Sequence, residues 1–211
     1  MTRAAPPARC PGTPHEEVLA AGTKLYRLHS ASFGPIAFNP TRSNDPLRGG
    51  RFDSHDGSYA YLYAGSSYAI AIAETLARDI PPGPVPPRLV PRAHVVARKL
   101  SKIEVRADLR LVRLHGGPAL GQVGQDSWLT KSPASDYELT RPWASAIRAW
   151  TPWAQGFVWR SNRDERGFAY ILFGDRVPAR SLSGTVELAA DSGNGLLLVR
   201  SVLMDHNIVM T

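Results

Sequence analysis

Cysteine is almost missing from this sequence: Cys10 is the single one in 211 residues. No internal disulfide can form, which fits a reducing compartment. No apolar run approaches the roughly 18 residues that a transmembrane helix needs. The opening residues, MTRAAPPARCPGTPHEE, have no apolar centre of the secretory-signal kind, so the expected location is the cytoplasm. Lysine is scarce as well, four of the 25 basic residues, and no basic block appears. The net charge of +7 and a pI near 9.9 suit an anionic small molecule, an acidic protein or nucleic acid. Because the charge is dispersed, nucleic acid is not expected as the primary partner. Phosphate loops of the G-x-x-x-x-G-K-[ST] kind, G-x-G-x-x-G turns and G-x-S-x-G elbows are missing too. The six histidines are scattered without metal-ligand spacing, so no metal site is expected.

What is present reads as one domain. A hydrophobic share of 43% and a charged share of 20% are globular, and the length can bury a core. Residues 1–22 read as a flexible, basic, proline-rich tail, and 23–211 as the domain. Thr23–Ser30 (TKLYRLHS) is strand-like, Ala31–Arg48 a loop, and Ala60–Tyr63 a short buried strand. Ser67 is placed to cap a helix over YAIAIAETLARDI, which stops before the surface loop PPGPVPP. AHVVARKL and LRLVRL read as strands. Thr140 is expected to cap RPWASAIRAW, with Pro142 in its first turn and Trp143, Ile147 and Trp150 on one face. GFVW, GFAYILF and GLLLVRSVL are expected to complete the sheet. Strands and helices do not alternate regularly, so the class is α+β.

The stretch from Gly49 to Gly65, GGRFDSHDGSYAYLYAG, concentrates chemistry. Glycines admit close backbone approach, and Arg51 offers a planar fork for phosphate or carboxylate. Tyr63 supplies a flat face with a polar tip. An anionic-ligand site and an ordinary hairpin both fit these residues. Arg27 lies inside LYRLH, Glu74 inside AIAIAETLA, and Ser161 follows GFVWR. Each has a structural reading: Glu74 can pair with Arg78 at i,i+4, Ser161 can end a strand, and Arg27 can face solvent.

Order and spacing add more. YRLHS, GGRFD, YLYAGSSYAIAIAETLA and GFVWRSN resemble the RES domain family, from about Leu25 to Arg176. Its pattern runs G-G-R-F-N, L-Y-L-A, A-x-x-E on a helix, then D-G-(I/V)-x-Y-x-S. Tyr63 and Glu74 are eleven residues apart, the family's spacing. Asp53 stands where that pattern has asparagine and Trp159 where it has tyrosine, and the proline loop from Pro81 to Arg92 is longer. The resemblance implies a single-domain α+β fold with a split mixed sheet, similar to ADP-ribosyltransferase toxins. It implies a bacterial toxin that degrades NAD at the nicotinamide–ribose bond, with phosphate as the favoured acceptor and with hydrolysis or protein mono-ADP-ribosylation as the alternatives. It also implies a partner antitoxin of helix-turn-helix (Xre-like) type, contact with nucleic acid only through that antitoxin, no membrane partner and a higher-order complex. Carried over, Glu74, Arg51 and Ser161 are catalytic, while Arg27, Arg51, Gly49, Gly50, Tyr63 and Ser161 bind NAD. Two other classes remain: a catalytically silent binding partner of an antitoxin, and a basic nucleic-acid binder.

Overall fold

The computed structural model describes residues 4–40, 49–78, 80 and 88–211. Ten strands appear among them: β1 Glu16–Leu19, β2 Lys24–Ser30, β3 Tyr61–Gly65, β4 Leu89–Val90, β5 Arg98–Val105, β6 Leu109–Arg113, β7 Gly156–Arg160, β8 Phe168–Phe173, β9 Leu182–Ala189 and β10 Val209–Met210. The helices are α1 Tyr68–Ile72, continued by a π turn over Ala73–Ala77, α2 Gly117–Gln122, α3 Trp128–Lys131, α4 Tyr137–Trp150 and α5 Gly193–Asp205. Eight strands form one mixed sheet in the order β1-β6-β7-β8-β3-β2-β5-β9, and β10 pairs with β4 apart from it. Only the β6–β7 pairing in the large sheet is parallel.

The joint between β3 and β2 is the feature that matters for function. These strands share one residue pair, Tyr26 with Gly65, whereas β2 and β5 pair along seven residues. The sheet therefore splits into two halves that diverge from a single point. Alternation of side chains across each strand feeds separate apolar clusters. Phe157 and Trp159 of β7 and Ile171 and Phe173 of β8 join Tyr61, Phe52 and the α4 residues Trp143 and Ile147 on one face. Val158 and Leu172 point the other way, toward Leu25, Leu62 and Ile103. In the second half, Leu28 and Leu100 pack with Ile72 and Leu76 and with Val199 and Leu203 of α5.

Several expectations need correction. The expected tail carries β1, which pairs antiparallel with β6. Its Glu16 bonds Arg110 and its Glu17 bonds both Arg113 and His115, so a charged edge strand read as a tail. GLLLVRSVL is not a strand but part of α5: Gly195, Val199, Val202 and Leu203 are buried and Leu197, Arg200, Ser201 and Met204 exposed, a helical period. A short apolar run does not distinguish the two. AHVVARKL is not a strand throughout: its first two residues belong to a 3-10 turn over Arg92–His94, and the strand starts at Arg98, after Ala97 at a φ of 57°. Thr140 is not a cap. Helix α4 starts a turn earlier, with Asp136 at its N-cap and Pro142 in its interior. Ser67 does cap α1, accepting from Ile70 N at 3.2 Å. The PPGPVPP loop and residues 41–48 lie outside the described residues.

Candidate active site

The Gly49–Asp53 turn is pinned from three sides. Gly49 takes a φ of +87°, a left-handed conformation open to glycine at no steric cost. Gly50 lies so near Asp53 and Tyr63 that a Cβ there would be 2.6 Å from Asp53 Oδ1 and 2.7 Å from the Tyr63 hydroxyl. Asp53 Oδ2 accepts from Gly50 N at 2.7 Å, closing the turn on itself. The Tyr63 hydroxyl on β3 accepts from Phe52 N at 3.0 Å. From α4, Thr140 donates to Arg51 O at 2.7 Å and Arg141 Nε to Gly50 O at 3.2 Å. Thr140, misread as a cap, is therefore a strut for this turn. The Arg51 guanidinium is buried; its Nε and Nη2 reach Ser132 Oγ and O, at 3.3 and 2.9 Å, and it lies 5.2 Å from the Tyr137 ring centroid.

Glu74 arrives from the opposite side. It sits in the π turn that continues α1, a local widening that is common at functional sites. Its Oε1 accepts from Ser161 Oγ at 2.6 Å and from Asn162 N at 2.7 Å. Ser161 is fully buried and its Oγ also accepts from Arg163 N and Asp164 N, each at 3.1 Å. Two donors on one oxygen orient the carboxylate and leave Oε2 for other contacts. This revises the expectation for Ser161. It is not among the residues lining the cleft but stands behind Glu74, and its proton is engaged there.

Between the two sides, at the β2–β3 split, lies a cleft of about 420 Å³, a size usual for small-molecule sites. Arg27, Gly49, Gly50, Arg51, Tyr63 and Glu74 all line it. The fold thus brings six of the seven expected site residues to one cleft. The Arg27 Nη1 donates to Ala37 O at 2.8 Å and Pro35 O at 3.1 Å, and burial lowers its pKa to about 10, so it stays cationic at neutral pH. Tyr63 stands edge to face with Tyr61 and Trp159, at centroid distances of 5.7 and 6.3 Å. Burial, then the nearby Asp53 charge, push its phenol well above the usual range.

Other lining residues escaped the sequence reading: His29, Asp53, Arg78, Arg98 and Trp159. Among the described residues the lining holds four guanidiniums and two carboxylates, an excess of positive charge suited to a polyanion. His29 is buried, with Nε2 2.7 Å from Ser101 Oγ and Nδ1 2.9 Å from Ser30 O. A carbonyl only accepts, so Nδ1 carries the proton and Nε2 accepts from Ser101. Burial lowers its pKa, outweighing the Ser30 carbonyl, and the charges of Arg27, Lys99 and Arg98 lower it further. Arg98 announced itself only as part of an alternating strand, and Trp159 only as core.

The model of the RES domain matches residues 24–194. The chain belongs to the RES domain family. Among solved structures, it is similar to one described as the toxin–antitoxin complex MbcT–MbcA of M. tuberculosis. The TM-score is 0.58 at 16% identity, with 88% of this chain and 91% of that chain covered, a likeness of fold. No curated protein matches the chain. Among the described residues no helix is long and apolar enough to cross a membrane, and no group of three or more His, Cys, Asp or Glu could hold a metal ion.

Proposed function

We propose that this RES domain is a toxin that cleaves the nicotinamide–ribose bond of NAD and passes the ADP-ribosyl group to phosphate. The observation that carries this reading is Glu74, held by Ser161 and Asn162 beside an arginine-lined cleft. Departure of nicotinamide leaves an oxocarbenium-like ribose, as in glycoside cleavage. A fixed carboxylate stabilises that developing positive charge, and Glu74 Oε2 is its available oxygen. Arg27 and Arg51 bind the pyrophosphate. Gly49 and Gly50 let the turn approach the ligand. Tyr63 forms the wall against which nicotinamide or ribose packs. Nicotinamide leaves as a neutral molecule with the bonding electron pair, so no strong acid is needed. A phosphate oxygen then bonds to the ribose C1, giving ADP-ribose-1″-phosphate. Ser161 acts through Glu74, as a positioning residue.

A second reading is NAD hydrolysis. Arg27 and Arg51 each have donors engaged by main-chain carbonyls, which leaves fewer for a separate phosphate beyond the cofactor's own pyrophosphate. Mass spectrometry of the product with and without added phosphate separates the two. ADP-ribose-1″-phosphate rising with phosphate supports phosphorolysis, and free ADP-ribose at every phosphate level replaces it with hydrolysis. Intact NAD throughout moves the assignment to protein modification or to a silent binding partner. We further propose cytoplasmic action under an antitoxin of helix-turn-helix type. The similar complex pairs a toxin with an antitoxin, and the bulk charge is spread too evenly to favour nucleic acid directly.

A further inference from the structure

Arg51 and Glu74 belong to opposite walls of the cleft, and one dipeptide touches the support of each. Ser132 holds Arg51: its Oγ accepts from Arg51 Nε at 3.3 Å and its carbonyl from Nη2 at 2.9 Å. Lys131, the residue before it, reaches the other side. Its Nζ donates to Ser161 O at 3.4 Å and pairs with Glu165. Ser161 Oγ and the next amide, Asn162 N, both donate to Glu74 Oε1. Neither Lys131 nor Ser132 lines the cleft, so each acts through another residue. Their base is anchored. They end α3, where Leu129 is fully buried among residues of β7 and α4. Trp128 Nε1 donates at 2.7 Å to Asp136, the N-cap of α4.

We infer that Lys131 and Ser132 form a brace that sets the separation between Arg51 and Glu74. Lys131 is the positioning residue for the Glu74 side and Ser132 for the Arg51 side. The kinetic consequence rests on the NAD reading above. In NAD the pyrophosphate and the ribose carbon that loses nicotinamide are joined by a short covalent link. A guanidinium on the one and a carboxylate at the other must therefore stand at one distance. Rate depends steeply on such placement, because a reacting group held off its productive geometry loses the gain of orientation. Two adjacent residues on one anchored turn give Arg51 and the Ser161 segment a common reference point.

The test combines steady-state kinetics on NAD with amide hydrogen exchange. Lys131→Met keeps an unbranched stem and removes the ammonium. Its kcat should fall about three- to tenfold, the scale of one hydrogen bond, with KM nearly fixed. Lys131→Arg restores a cationic donor and should recover most of that loss. Ser132→Ala removes the acceptor for Arg51 Nε and leaves the carbonyl in place, so KM should rise about threefold with kcat nearly fixed. The Asn162 amide, bound to Glu74, should exchange faster in Lys131→Met than in the wild type. Wild-type kcat together with wild-type Asn162 exchange in folded Lys131→Met overturns the brace. So does the same mixed loss of kcat and KM in both variants, which is general loosening. Should Lys131→Met not fold, Ser132→Ala decides: a raised KM at wild-type kcat supports the brace, and wild-type constants overturn it. A wild type inert toward NAD overturns the NAD reading and not the brace, which the Asn162 exchange then decides alone.

Discussion

The two walls of the cleft are built on opposite principles. The wall from β3, β7 and α4 is aromatic and cross-linked: Tyr63, Thr140 and Arg141 each bond the Gly50–Phe52 main chain. The wall from β2, β5 and the π turn is charged, and the cations of its two strands are held by main-chain carbonyls: Arg27 by Pro35 and Ala37, Arg98 by His94. A carbonyl holds a guanidinium in place without neutralising it. One wall thus fixes shape and the other keeps charge, and the single-pair joint between β2 and β3 lets them face each other across open space. A ligand with a flat ring at one end and a pyrophosphate in its middle matches this division.

The sharpest break of that contrast is at Glu74, the one carboxylate on the charged wall. Glu74→Gln keeps size and hydrogen bonding and removes the charge. NAD turnover should fall about 100-fold or more, as for other oriented charge stabilisers, with the melting temperature nearly unchanged. Turnover at the wild-type rate would reduce Glu74 to a helix-surface residue. Next comes Arg51, a cation set in the aromatic wall. Arg51→Ala removes a charged fork from a buried place and should lower kcat/KM about 10- to 100-fold, the scale of charged hydrogen bonds. Arg9→Ala, an exposed change far upstream, should do nearly nothing. Equal effects would mean that diffuse charge matters and the site does not.

Ser161 tests whether the carboxylate needs its support. Ser161→Ala removes one of two donors on Glu74 Oε1 and should lower kcat about tenfold, the value of one such bond, while KM stays nearly fixed. A ligand-binding serine would instead raise KM with kcat held.

How legible this site was in the sequence depends on locality. The GGRF turn, Tyr63 and the capped helix bearing Glu74 are short-range patterns, and they fell where expected. The split between β2 and β3 is a long-range pairing of Tyr26 with Gly65, which no local pattern encodes. The position of Ser161 behind Glu74 follows from β7 ending beside the π turn, again a tertiary fact. Errors went the same way: β1 is charged and α5 apolar, so each looked like something else until its partner was known. Asp53 and Trp159 read as a substituted turn and a core aromatic, because a place in the cleft lining appears only when all neighbours are placed.

The smallest expected effect concerns His29, on the charged wall but uncharged. Its ring is held neutral by burial among Arg27, Lys99 and Arg98, with Nδ1–H on Ser30 O and Nε2 accepting from Ser101. A proton on Nε2 would reverse the direction of the Ser101 contact and add a charge beside those cations. Because its folded pKa lies below the ordinary value near 6.5, the unfolded chain binds the proton more readily. The stability from neutral His29 is therefore present above about pH 6.5 and declines as pH falls from there toward the lower folded value. His29→Gln keeps polar groups at the ring's place without titrating. Its melting temperature should depend less on pH between about 5 and 7 than the wild type's, while the two proteins differ little in NAD turnover at pH 8. A wild-type melting temperature that stays flat across that window, or the same slope in both proteins, would mean that His29 takes its proton without strain. The charged wall would then tolerate one more cation than its geometry implies.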